Sequence, residues 1–351
     1  MKYQTDDLKI REIKELHSPA QIHAEFPVDE QSEKTVFESR QAIQKILSGD
    51  DNRLLVVVGP CSVHDPKAAF EYAQKLKVLR DKFSDSLEIV MRVYFEKPRT
   101  IVGWKGLIND PELNDNFEIN KGLRLARKLL LDVNKIGMPA GTEYLDLISP
   151  QYIADLISWG AIGARTTESQ SHRELASGLS CPVGFKNSTN GSLQVSLDAI
   201  QSASRPHHFL SVTKEGHSAI FSTTGNPDCH IILRGGSRPN YDSESISIAS
   251  DELENAGQKQ NLMIDFSHAN SRKQYKRQLI VGRDVASQIT RGDKRIIGVM
   301  IESFFVEGQQ KVEKGKPLVY GQSITDACIS WTDTEHLLSD LADAVRTRAK
   351  L

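Results

Sequence analysis

No apolar run in the 351 residues approaches the roughly 20 needed to span a bilayer; the longest, such as 54–58 and 296–301, are far shorter. The N-terminal stretch MKYQTDDLKIREIKEL is polar and charged and lacks the apolar segment of a secretion signal. A soluble, cytoplasmic protein with no membrane contact is expected. An excess of charge of either sign is also missing: 44 Lys+Arg face 46 Asp+Glu. No basic stripe interleaved with aromatics is present, so nucleic acid is not an expected partner. Cysteine is scarce, and Cys61, Cys181, Cys229 and Cys328 are scattered instead of framing a small domain, which argues against structural disulfides. No Gly-x-Gly-x-x-Gly turn follows the first strand-like run, so a dinucleotide-binding fold has little support.

What is present is a repeat of form. With 39% apolar and 26% charged residues, the chain can bury one large core. Short apolar runs recur at 54–58, 88–93, 135–139, 161–164, 182–185, 230–233, 262–266 and 296–301. Amphipathic stretches lie between them, at 66–83, 117–133, 150–159, 192–204 and 272–291, with a last helical pattern at 334–349. Strands apolar on both faces that alternate with helices imply a parallel sheet covered on both sides. Eight such units predict an α/β protein built as a (β/α)8 TIM barrel, with an open doubly wound sheet as the structural alternative. Two additions exceed a minimal barrel. Residues 1–50 form an N-terminal extension with a helix expected at 33–47, ahead of a catalytic barrel at 51–351. Within the barrel, 205–225 reads as an inserted β-hairpin around a Glu-Gly turn before the sixth strand. Additions of this kind serve assembly or regulation.

Barrel enzymes build their sites at the C-terminal ends of the strands. In order, those ends carry Cys61, Arg92, Glu143, Arg165, Lys186, Arg234, His268 and Glu302. Any one of these is more simply a rim charge, but a chemistry-bearing residue at every strand end makes that reading poor. Arg92, Arg165, Lys186 and Arg234, with Lys97 and Arg99 in the loop after the second strand, gather cations that call for a polyanionic ligand. Cys61, His268 and Glu302, together with Asp326 in the loop YGQSITDAC, make a mixed set able to hold a divalent ion such as Mn, Fe or Zn.

These residues sit in long blocks, among them GPCSVHDP at 59–66, MRVYFEKPRTIVGWKG at 91–106, GARTTESQSHRELASGLSCPVGFKN at 163–187, ILRGGSRPNY at 232–241 and DFSHANSRKQ at 265–274. The blocks resemble the type I 3-deoxy-D-arabino-heptulosonate 7-phosphate (DAHP) synthases, over nearly the whole chain. The resemblance implies condensation of phosphoenolpyruvate with erythrose 4-phosphate, the first step of the shikimate pathway. It implies one divalent metal per subunit (Mn, Fe, Zn or Co) on Cys61, His268, Glu302 and Asp326. It implies phosphoenolpyruvate phosphate on Arg165, Arg234 and Lys186 with Glu143 in support, and its carboxylate facing Arg92, Lys97 and Lys186. Erythrose 4-phosphate would meet Arg99 and Thr100 through its phosphate, with Pro98 and Asp326 near its hydroxyls. Lys97, Cys61 and His268 are the implied catalytic groups. A homodimer or homotetramer is also implied, as is phenylalanine acting as feedback inhibitor on Pro150, Gln151, Leu175, Leu179, Ser180, Phe209 and Ser211, with Asp6 or Asp7 from a neighbouring subunit. Phe221 is bulkier than expected beside that pocket. The alternatives are a tyrosine-inhibited form and the related synthase that takes a five-carbon sugar phosphate, which the KPRT block at 97–100 disfavours.

Overall fold

The computed structural model describes residues 3, 5–99, 101, 103–313 and 315–351. Eight parallel strands close into a barrel: β1 (Leu54–Gly59), β2 (Leu87–Arg92), β3 (Ala140–Glu143), β4 (Trp159–Ile162), β5 (Val183–Lys186), β8 (Cys229–Leu233), β9 (Leu262–Asp265) and β10 (Ile296–Glu302), which pairs back onto β1. The alternation of side chains along a strand explains why each run is apolar throughout. In β1, Leu54, Val56 and Val58 join the outer core, while Leu55 and Val57 join an inner cluster with Val90, Trp159, Ile232, Met263 and Met300.

The outer layer is made of α3 (Pro66–Lys82), α4 (Ile119–Lys135), α6 (Gln170–Gly178), α7 (Gln194–Ala203), α8 (Ser243–Asn255), α9 (Gln278–Thr290) and α10 (Trp331–Arg348). Before the first strand come α1 (Pro19–Glu25) and α2 (Glu30–Ser48). Asp29 caps α2 by accepting from Ser32 N–H at 2.9 Å, and Gly49 ends it at φ +91°, where a side chain would be strained. Ile43, Ile46 and Leu47 of α2 belong to the barrel's inner cluster, so the extension closes the N-terminal end of the barrel. The insertion is an antiparallel hairpin, β6 (His208–Val212) and β7 (Ser218–Ser222), as expected from the sequence. Its turn is docked on the extension: Ala20 N–H donates to the Lys214 carbonyl at 2.6 Å.

Three expectations are corrected. The third strand is not 135–139, because α4 runs through Lys135 and the strand is the small, polar Ala140–Glu143. The cause lies across the sheet: a side chain at Gly141 would meet the Trp159 ring at 3.1 Å, so this strand must stay small where the indole fills the interior. The helix expected at 150–159 is one short turn, α5 (Pro150–Ile153), followed by a 3₁₀ turn, and Trp159 already begins β4. The helix expected from 272 begins only at Gln278, since Arg272 and Lys273 take positive φ of 53° and 57°. After β10, a small parallel pair, β11 (Val306–Gln309) and β12 (Gln322–Ser323), flanks the loop that carries Asp326.

Candidate active site

A cavity of about 520 Å³ opens at the C-terminal ends of the strands, lined by Arg92, Lys97, Pro98, Arg99, Glu143, Arg165, Lys186, Arg234, His268 and Asp326. Ten residues singled out in the sequence thus share one mouth. Cys61 and Glu302 lie buried beside it. Thr100 lies outside the described residues.

The cations differ in what already holds them. Lys186 Nζ stands 3.5 Å from Glu143 and 3.7 Å from Asp265. Burial alone would raise the Glu143 carboxyl, yet the positive charge of Lys186, Lys97 and Arg92 holds it below the usual range. Arg165 donates to the Pro98 carbonyl at 3.0 Å and Arg234 to the Gly235 carbonyl at 3.4 Å, and neither has a carboxylate within 4 Å among the described residues. Partial burial, and then the nearby Arg165 charge, hold half-buried Arg234 below its ordinary value despite the more distant carboxylates. Arg99 is exposed and steadied by the Trp104 carbonyl at 2.8 Å.

Cys61 Sγ and carboxylate oxygens of Glu302 and Asp326 lie within 4.8 Å of one another. Cys61 Sγ is 3.6 Å from Asp326 Oδ2 and accepts from Lys97 Nζ at 3.1 Å. Burial, and then the Glu302 charge, push the thiol up to about 11 against the effect of Lys97, and a bound divalent ion would favour the thiolate. A thiol and two carboxylates at these distances fit a divalent ion. His268 stands apart from that group. It adopts φ +53°, and its Nδ1 is 2.8 Å from Asp265 Oδ2 and 2.7 Å from Ser267 Oγ. Nε2 is therefore the nitrogen that remains for a ligand.

Asp265 was not singled out in the sequence. It is fully buried, and although burial raises a carboxyl, His268 and Lys186 hold this one far below its usual range. The available signal was its place three residues before His268 at a strand end. Lys273, which also lines the mouth, was likewise missed.

Glu96, next to Lys97, is buried and accepts from Ser149 Oγ at 3.0 Å. Burial and then the charge of Asp146 push its carboxyl up to about 7. A carboxyl raised above its unfolded value near 4.3 contributes stability that is complete at acid pH and is lost as pH rises through 7. Glu96→Gln is expected to reduce the fall in stability between pH 5 and 8 by about 1 to 3 kcal/mol. Urea titrations at the two pH values measure it, and an unchanged fall would refute the assignment.

A second cavity, about 580 Å³, lies between α6 and the hairpin. Leu175, Phe209 and Ser211 line it, with Leu147, Ile148, Ser171, Glu174 and His208, which the sequence did not single out. Phe221 packs on Phe209 with ring centroids 6.0 Å apart. Pro150, Gln151, Leu179 and Ser180 are not on its wall within one chain. The Gln151 carbonyl instead accepts from Lys214 Nζ, and Ser180 is exposed just past α6. Asp6 and Asp7 lie in the irregular segment before α1.

The model of the DAHP synthetase I family matches residues 25–339. The chain is 63% identical over 348 residues to the Phe-sensitive phospho-2-dehydro-3-deoxyheptonate aldolase of Escherichia coli K12, covering 99% of each chain. It is 60% identical to the phospho-2-dehydro-3-deoxyheptonate aldolase of Haemophilus influenzae, over 98% of this chain and 96% of that one. The solved phospho-2-dehydro-3-deoxyheptonate aldolase of Francisella tularensis superposes with a TM-score of 0.95 at 53% identity, covering 97% of this chain and 99% of that one.

Proposed function

This chain belongs to the DAHP synthetase I family, and from that premise we propose which residues of the barrel mouth do what. The activity is a transferase reaction: phosphoenolpyruvate condenses with erythrose 4-phosphate to give DAHP and inorganic phosphate. Phenylalanine is the feedback inhibitor, as the name of the Escherichia coli relative indicates for that protein.

The observation that carries the assignment is the pair of arginines, Arg165 and Arg234, that face the cavity with no carboxylate within 4 Å among the described residues. They, with Lys186, take the phosphoenolpyruvate phosphate, and Glu143 offsets part of the charge. Arg92, Lys97 and Lys186 face the carboxylate. Arg99 and Thr100 take the erythrose 4-phosphate phosphate, with Pro98 and Asp326 toward its hydroxyls. Fixing two mutually repelling anions side by side replaces an encounter in water with a positioned one, which is the main service a cationic pocket renders. The new carbon–carbon bond joins C3 of the enol to the aldehyde carbon, water adds at C2, and the phosphate leaves by carbon–oxygen cleavage. Burial works against the Lys97 charge, but the surrounding negative groups, Glu302 and Asp326 among them, hold it above its ordinary value, so its Nζ stays a cation and a hydrogen-bond donor at this site.

Cys61, Glu302 and Asp326, with His268 through Nε2, are the residues that would hold one divalent ion, which is Mn, Fe, Zn or Co. When bound, it supplies Lewis-acid polarisation of the aldehyde oxygen. The five-carbon-substrate reading has no observation in its favour.

The extension and the hairpin expose Leu8, Ile10, Ile13, Leu210 and Ile220, which supports assembly into a dimer or tetramer through residues 1–50 and 205–225. Among the described residues no helix is long and apolar enough to cross a membrane. Separately, a cytoplasmic location is part of the proposed reading, in keeping with its bacterial relatives.

Phosphate release from the two substrates, with and without chelator, tests the function; no release with metal supplied would refute it. Arg165→Ala is expected to raise KM for phosphoenolpyruvate more than for erythrose 4-phosphate, and Arg99→Ala the reverse. Each loses a charge-assisted phosphate contact worth about 1.5 to 3 kcal/mol, roughly 10- to 150-fold. Equal effects on both substrates would mean that the phosphate sites are not separate.

A further inference from the structure

Arg92 is 1% exposed, yet among the described residues one carboxylate alone lies within 4 Å of it, Glu302 Oε1 at 3.0 Å. Three of its four other N–H groups go to neutral acceptors: the Pro60 carbonyl at 3.1 Å, the Cys61 carbonyl at 3.2 Å and the Met300 thioether at 3.0 Å. Against one face of the guanidinium lies the Tyr94 ring, with Arg92 Cζ 3.6 Å from the ring centroid. Lys186 Nζ is 6.0 Å from the same centroid. The ring also belongs to the apolar cluster inside the barrel, so it forms the boundary between that core and the cationic mouth.

We propose that Tyr94 is a positioning residue for the condensation, its ring face holding Arg92 flat and steadying Lys186 for the phosphoenolpyruvate carboxylate. The proposal rests on the reading that Arg92 faces that carboxylate. A buried cation needs compensation, and the choice of partner decides what remains for substrate. A second carboxylate here would neutralise the guanidinium and compete with the incoming anion. An aliphatic side chain would leave the charge against an inert surface. An aromatic face attracts the cation through its quadrupole and carries no net charge, so Arg92 is oriented while its charge stays available. If Glu302 is committed to the divalent ion, the ring and the neutral acceptors are what hold Arg92 among the described residues. The Tyr94 hydroxyl has little part in this, since among the described residues its hydrogen-bond partner is Met300 Sδ at a long 3.9 Å.

The test keeps the shape of the ring and removes its attraction for cations. Phenylalanine and its mono-, di- and trifluorinated analogues are placed at position 94 of the full chain. KM for phosphoenolpyruvate should climb stepwise with fluorination, by roughly 3- to 10-fold across the series. KM for erythrose 4-phosphate and the melting temperature should move far less, which a merely structural ring would not produce. Tyr94→Phe should keep most of the parent's affinity for phosphoenolpyruvate and Tyr94→Leu should lose it. A flat fluorination series overturns the proposal, as does a loss in Tyr94→Phe equal to that in Tyr94→Leu, which would assign the role to the hydroxyl. Arg92→Ala separates this from the underlying reading: an unchanged KM for phosphoenolpyruvate there removes the carboxylate site itself, whereas a raised one beside a flat series removes only the role of the ring.

Discussion

Cys61→Ala is expected to leave a folded barrel with turnover at about 1% of the parent or less and with the proposed divalent metal lost. Even the loss of an outer partner of a metal ligand typically costs about 10- to 100-fold, so the loss of a ligand costs more. The thiol is fully buried and within reach of Asp326 and Lys97. Its removal takes away the soft donor and leaves Glu302, Asp326 and the Lys97 ammonium without the group between them. The fold suffers little, because one sulfur is deleted at the edge of the core and typical substitutions cost about 0.5 to 3 kcal/mol. Metal analysis of the purified variant, its melting temperature and phosphate release measure the three parts separately. Full metal content with parental turnover would remove Cys61 from the site.

The barrel was legible where its strands are long and apolar on both faces, as in β1 and β10. It was misread at β3, where Ala-Gly-Thr-Glu carries no hydrophobic signal because Trp159 of the next strand supplies the volume. The mouth was legible because a charge directly after an apolar run stands out in a sequence. Tyr94 and Asp265 did not stand out, because their work is to hold other residues. An aromatic two positions after Arg92 reads as ordinary core, and a buried Asp beside Ser-His reads as a turn residue. The geometry of His268 depends on its positive φ and on Asp265, which no spacing rule conveys. The hairpin could be placed from its Glu-Gly turn, but which of its side chains face α6 depends on how the two pack.

Phenylalanine is expected to inhibit turnover from a site away from the mouth, and Ser180→Phe is expected to remove that inhibition while sparing the uninhibited rate. The hairpin and α6 enclose about 580 Å³ lined by Leu175, Phe209 and Ser211, an apolar setting with polar rims that suits an aromatic amino acid. Two features connect it to the chemistry. Lys214 of the hairpin turn holds the Gln151 carbonyl, and Ser149 of the same loop donates to Glu96, the neighbour of Lys97. An effector that shifts 149–151 therefore pulls on the loop that presents Lys97 and Arg99. Tyrosine should bind less well, because a buried hydroxyl without a partner costs about 1 to 3 kcal/mol, a penalty of roughly 5- to 150-fold. Ser180 is exposed and off the cavity wall within one chain, so its substitution asks whether the effector site extends past the end of α6. Dose-response curves for the three aromatic amino acids on parent and variant decide both points. Stronger inhibition by tyrosine or tryptophan would overturn the choice of effector, and unaltered inhibition of Ser180→Phe would overturn the site.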